Sequence, residues 1–220
     1  MLSEQEQAAF LQATQAVQQA VHRQLQARRD GDAPVRFVIN LQRGVDRVCD
    51  EAGASGAQPA CRAGCSHCCH RRVAALEPEV FRIAQALAEA PQALPGWIAV
   101  LRWHAAAATA IPEGRYWLAC PFLRQGLCAI YDLRPAVCRK GHSLDAAACA
   151  APDGDTVPQR LDLIARAEAM INGTALGYRA AGLSAGSLPL GPAVLLALTD
   201  PTAQSRWLQG EAVFSGLPRG

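Results

Sequence analysis

Four thiols in nine residues, Cys61-Arg-Ala-Gly-Cys65-Ser-His-Cys68-Cys69, constrain this chain more than any other feature. The neighbouring Cys68 and Cys69 could join only through a strained vicinal bridge, so the group is a poor start for a disulfide framework. A chain of 220 residues can also bury a core without covalent staples. The first residues, MLSEQEQAAF, are acidic and glutamine-rich and lack the basic start and apolar run of an export signal. Nine cysteines behind such a start predict a cytoplasmic protein that uses reduced thiols for metal or redox chemistry.

A second set follows more than fifty residues downstream: Cys120-Pro-Phe-Leu, Cys128-Ala-Ile-Tyr and Arg134-Pro-Ala-Val-Cys138-Arg. Gly126 suits a turn that brings Cys120 and Cys128 together. Pro135 suits the first position of a helix, which would place Cys138 in an opening turn that favours a thiolate. Short spacings let neighbouring thiolates reach one centre at small loop-closure cost, as zinc sites and iron-sulfur clusters both require. Arg62, Arg71, Arg72, Arg134, Arg139 and Lys140 are placed to offset the charge of such an anionic centre. The expected ligands are Cys61, Cys65, Cys68, Cys69, Cys120, Cys128 and Cys138, with Cys149, His67 and His70 as further candidates. A histidine beside a ligand is often an outer hydrogen-bond donor instead. Cys149 lies among alanines that suit a buried structural thiol, and Cys49, in a helical pattern, is expected in the core.

The ordered elements Cys61-x-x-x-Cys65-x-x-Cys68-Cys69, Cys120-Pro-Phe-Leu, Cys128-x-Ile-Tyr and Arg134-Pro-x-x-Cys138-Arg resemble the bacterial YkgJ-type cysteine-cluster family. The resemblance covers roughly residues 61 to 142 and implies chelation of zinc or iron. It also implies, through distant relatives that are flagellin lysine methylases carrying an iron-sulfur cluster, an alternative as a protein-modifying enzyme. Seven thiols exceed what one tetrahedral zinc site takes: two zinc sites could share them, one cluster could use four and leave reserve thiols, or a multinuclear centre could bridge several. The lack of paired zinc-knuckle spacing slightly favours an iron-sulfur cluster over zinc. Metal handling or electron transfer is the expected role. A zinc-stapled interaction module is the remaining alternative. No catalytic residue is assigned. His142, four residues after Cys138, makes an improbable nucleophilic pair with it because Gly141 and the metal context intervene.

The rest of the chain reads as mainly α, a helical domain with a small β-hairpin beside the cysteine-rich metal site. Low aromatic content (5%) and abundant Ala and Leu favour helices over strands. Phe10, Thr14, Val17, Val21 and Leu25 mark an amphipathic first helix from Ser3, closed before Gly31 and Pro34. Further helices are expected over 35–51, from Glu77-Pro-Glu79 onward, and over 96–110, 157–181, 192–198 and 203–214. Extended pieces at 116–123 and 127–131 frame the hairpin. His22 and His104 are expected in surface or packing roles, and Trp97, Trp103, Trp117 and Trp207 in the core. The organisation predicted is a helical segment at 1–56, a metal-binding core at 57–150 and a C-terminal helical segment at 151–220, packed as one unit. A net charge of +2 spread along the chain carries no footprint for nucleic acid or anionic lipid. The apolar stretch 188–198 is too short and too broken to span a bilayer, which takes about 20 apolar residues. A metal ion is the partner expected; a protein partner is not specified.

Overall fold

The computed structural model describes residues 3–27, 31–53, 56–112, 114–150 and 157–217. It is mainly α, as expected, with two small antiparallel sheets of two strands each. The first helix, α1 (Glu4–Ala27), buries Thr14, Val21 and Leu25 from the predicted stripe. Its partner is α7 (Leu161–Ala180), which packs along it closely because Gly173 and Gly177 face α1. A methyl added at Gly173 would stand 2.6 Å from the Thr14 carbonyl oxygen and from Val17 Cβ.

The single helix expected over 35–51 is two pieces, α2 (Ala33–Phe37) and α3 (Ile39–Gly53). Pro34 opens α2, and the Val38 N–H bonds back three residues to Val35 at 3.4 Å, which tightens the turn and ends the α pattern for one residue. Strand β1 (Ala74–Leu76) leads into α4 (Glu77–Ala88), the most enclosed helix. Val80, Phe81, Ile83 and Leu87 are buried there, and so are the carboxylates Glu77 and Glu79. Next comes α5 (Leu94–Ala110), which starts earlier than its periodicity suggested because Pro95 sits in the first turn.

The hairpin is far shorter than predicted: β2 (Leu123–Arg124) pairs with β3 (Leu127–Cys128) and nothing more. Gln125 (φ 50°) and Gly126 (φ 77°) both adopt left-handed backbone, the signature of a two-residue type I′ turn. Residues 116–120 carry no regular secondary structure, and Tyr131 belongs to a 3-10 turn (Tyr131–Leu133). After α6 (Ala136–Lys140) and α7, strand β4 (Ser187–Pro189) returns to pair with β1, with Ala75 opposite Leu188. This pairing, across more than a hundred residues, was not legible from local pattern. The chain ends its regular structure with α8 (Leu190–Thr199) and α9 (Ala203–Leu208), the latter shorter than expected because Gly210 takes a left-handed φ of 89°. Helix α7 likewise begins at Leu161, later than expected; positions 151–156 of the preceding stretch lie outside the described residues.

The core gathers around α4. Phe81 meets Trp207 and Phe214 at ring-centroid distances of 5.2 and 5.3 Å, and Trp207 meets Tyr178 at 6.2 Å. Burial of each large apolar side chain contributes about 1.5–3 kcal/mol, so this aromatic cluster ties α4, α7 and the C-terminal residues into the same hydrophobic core. Of the four tryptophans expected inside, Trp207 is fully buried and Trp97 packs against the core, whereas Trp103 is 64% exposed and no anchor. Among the described residues no helix is long and apolar enough to cross a membrane.

Candidate metal centre

Both cysteine stretches are short-range structure. Arg62 to Cys65 form a turn closed by the Cys65 N–H on the Arg62 carbonyl at 2.9 Å, with Gly64 at φ 85°, a backbone state that suits glycine at the third turn position. His67–His70 then form one 3-10 turn. The second stretch runs alongside it: the Cys120 N–H donates to the Cys69 carbonyl at 2.7 Å and the Leu118 N–H to the His70 carbonyl at 3.1 Å. Two segments fifty residues apart therefore meet, backbone against backbone, at Cys69 and Cys120.

All nine cysteines are free thiols. Their electrostatic coupling divides the expected ligands into two groups. Cys68, Cys69, Cys120, Cys128 and Cys138 influence one another; Cys61 feels Cys65 and Cys149, and meets the first group only through Cys68, which belongs to both. Within the inner group the Cys69 thiol and the Cys68 sulfur share one hydrogen bond, which holds Cys68 down at about 6 and pushes Cys69 up. Burial, with neighbouring thiols, raises Cys120 to about 11. Burial likewise raises Cys138, and the adjoining cysteines and Glu79 push in the same direction. The expectation that the opening turn of α6 would favour a Cys138 thiolate is thus reversed: desolvation outweighs the field of a five-residue helix. In the outer group, burial raises Cys61 although the Ser143 N–H reaches its sulfur at 3.4 Å. A return bond from the Ala60 N–H to the Ser143 carbonyl at 2.8 Å fixes that edge.

The remaining histidines and cysteines are placed as follows. His70 Nδ1 lies 3.1 Å from the Ser66 carbonyl and its ring stacks on Trp117, with centroids 5.2 Å apart. His67 lies half-buried in the same 3-10 turn. His142 accepts the Arg160 N–H at Nε2 (2.9 Å) while its Nδ1 faces the Lys140 carbonyl, so both ring nitrogens are engaged by backbone. His104 is buried, as a packing residue, with Nε2 3.3 Å from the Tyr116 hydroxyl. Cys49 is half-buried and donates to the Arg139 carbonyl at 3.5 Å. Cys149 is half-buried too.

Three of the basic residues expected to balance the thiols are taken by carboxylates from neighbouring helices. Arg139 and Arg134 pair with Asp46 of α3, and Lys140 pairs with Glu168 of α7. Arg71 and Arg72 instead lie over the Trp117 and Tyr116 rings at 4.9 and 4.2 Å, where the ring faces favour a cation. Arg124 approaches Cys120 closely enough to oppose the rise of its thiol. Tyr131 does not cover the thiols: it is 60% exposed under the Arg134 guanidinium.

Among the described residues no three His, Cys, Asp or Glu side chains stand as a ready-made metal cage. The donor chemistry nevertheless fits zinc or iron, both of which take soft thiolate ligands, and the backbone proximity is already in place at Cys69 and Cys120. Fold and thiols together define a mainly helical cysteine-cluster protein. Residues 60–157, less than half of the chain, match the CxxCxxCC family model, described as a "putative zinc- or iron-chelating domain". That is the family which the ordered cysteine motif resembles, and the match supports metal binding by this segment. Comparison with curated proteins and with solved structures gave no match.

Proposed function

We propose that this protein holds iron as an iron-sulfur cluster through thiolates of the inner group, Cys68, Cys69, Cys120 and Cys138 with Cys128 beside them, and serves metal handling or electron transfer. The observation that carries this reading is the meeting of Cys69 and Cys120 across a 2.7 Å backbone bond. Five thiols exceed the four of a closed zinc site, and Cys61, Cys65 and Cys149 at the edge add to the surplus. Cys68 is exposed, so a partner that delivers metal or electrons has direct access to one edge of the group. When bound, the cluster would supply one-electron chemistry. The chain's own residues would supply sulfur donors, half-bury Cys138 and Cys120, and hold the two stretches together.

The test is anaerobic purification of the full chain with iron, zinc and acid-labile sulfide measured per molecule. Iron and sulfide in equal amounts support the proposal. Colourless protein with stoichiometric zinc would replace the cluster by a zinc site on the same thiols, and a folded chain that takes up neither element would sink both.

A further inference from the structure

Glu79 is the most enclosed charged side chain near the thiols, at 2% exposure, and none of its polar neighbours accepts. Its Oε2 receives the Leu76 N–H at 3.0 Å, reaching back to the residue before α4 as the acidic member of a capping box does. Its Oε1 receives the Ala136 N–H at 2.7 Å and the Gln42 side-chain amide at 3.3 Å. Ala136 is the first residue of α6, the helix that carries Cys138 two positions further on. Three donors converge on two oxygens, an arrangement that a carboxylate satisfies and an amide cannot, since the NH2 of a glutamine would face an N–H.

The arrangement continues into α3. Gln42 accepts from Arg82 and stands 3.5 Å from the Arg134 carbonyl through the same amide nitrogen that meets Glu79. Arg139 donates to that carbonyl at 2.8 Å and to the Asp132 carbonyl at 2.5 Å, and its other end is held by Asp46. Residues 132–140 are thus suspended from a polar network whose fixed points lie on α4 and α3. Gln42 and Asp46 lie outside the matched segment 60–157.

We infer that Glu79 is the positioning residue of the thiol centre, holding the start of the Cys138 helix at the β1–α4 junction that follows the Cys68–Cys69 turn in the chain, and that Gln42 of α3 completes the hold. The inference rests on the metal-binding reading given above. A buried acceptor bonded to three groups on separate segments costs the desolvation of each partner when removed, so the ends of α6 and β1 lose their common reference together.

The experiment uses the full chain, stripped of metal under anaerobic conditions and titrated with Co(II) against a competing chelator. Glu79→Gln is expected to lower Co(II) affinity tenfold or more, the range found when residues that orient metal ligands are changed, and to weaken the thiolate-to-cobalt absorption per bound ion. Gln42→Met is expected to act in the same direction by a smaller factor, and it serves where Glu79→Gln does not fold, as judged by circular dichroism. A second readout needs no metal: the rate of iodoacetamide labelling at Cys138 relative to Cys61, read by peptide mass spectrometry. It should rise severalfold in either folded variant. Unchanged affinity and an unchanged Cys138-to-Cys61 ratio in a folded variant would overturn the assignment. Wild-type protein that takes up no cobalt, while the ratio still rises in Glu79→Gln, would remove the metal reading and keep Glu79 as the residue that places Cys138.

Discussion

The α1–α7 pair and the thiol-bearing stretches solve the problem of holding backbone together in opposite ways. The helices use proximity: Gly173 and Gly177 remove side chains so that α7 can lie directly on Val17 and Val21. The thiol stretches have little regular structure, two-residue strands and short turns, and are held by specific hydrogen bonds and charges, Cys120 to Cys69, Ala136 to Glu79 and Arg139 to Asp46. A packed seam fails when anything is added, whereas a bonded seam fails when anything is taken away. Sulfur donors need the second kind, because ligands must be aimed as well as buried.

The sharpest way to break this comparison is to add volume to the packed seam. Gly173→Ala, whose methyl would stand 2.6 Å from the Thr14 carbonyl oxygen, should cost about 3 kcal/mol in urea unfolding, while metal bound per folded molecule stays constant. Loss of metal in step with stability would show that the two regions are one. The seam between them comes next. Arg139→Met removes two carbonyl bonds and the Asp46 pair, and should cost about 2 kcal/mol and weaken metal binding as well, both readable on the same protein by unfolding and chelator competition. In Cys69→Ser the effects separate the other way: bound metal should fall to near zero, while unfolding of the metal-free chain shifts by about 1 kcal/mol or less. A metal-replete Cys69→Ser would remove that thiol from the ligand set.

The difference between the two regions also explains what the sequence disclosed. Helical periodicity is local, so the stripe Thr14, Val21 and Leu25 and the proline-led start of α4 were legible from residues alone. The convergence of the cysteine stretches was legible as chemistry, through thiol density and a multi-part motif. The bonds that enforce it were not. Glu79 reads as an acidic residue in a first turn, suited to the helix dipole, and nothing within its neighbourhood in sequence announces that Ala136 and Gln42 will reach it. Asp46 and Glu168 escaped for the same reason, and the basic residues they pair with, Arg134, Arg139 and Lys140, looked available to the thiols. The pairing of β1 with β4 escaped because strands of three residues carry too short an alternation to register.

The smallest effect concerns Glu77, which shares the first turn of α4 with Glu79 and faces the other way. Its Oε1 accepts from the Ser184 hydroxyl at 2.6 Å and the Gly186 N–H at 3.2 Å, but its Oε2 is buried with no partner. Burial therefore wins over these bonds and raises the carboxyl above its ordinary value near 4.5. A group raised on folding contributes stability that is fully present below the unfolded pKa and is lost as pH rises through the folded one, so ionised Glu77 weighs against the fold at neutral pH. Glu77→Gln keeps an acceptor for Ser184 and Gly186 and places its amide where no partner is lost. The melting temperature of Glu77→Gln relative to wild type should then become more favourable as pH rises from about 4.5 toward neutrality, the contribution of Glu79 being common to both proteins. A difference that shrinks over the same window would mean that Ser184, Gly186 and the nearby Arg179 stabilise the ion more than burial opposes it. The two carboxylates of one helical turn would then both belong to the bonded kind of seam.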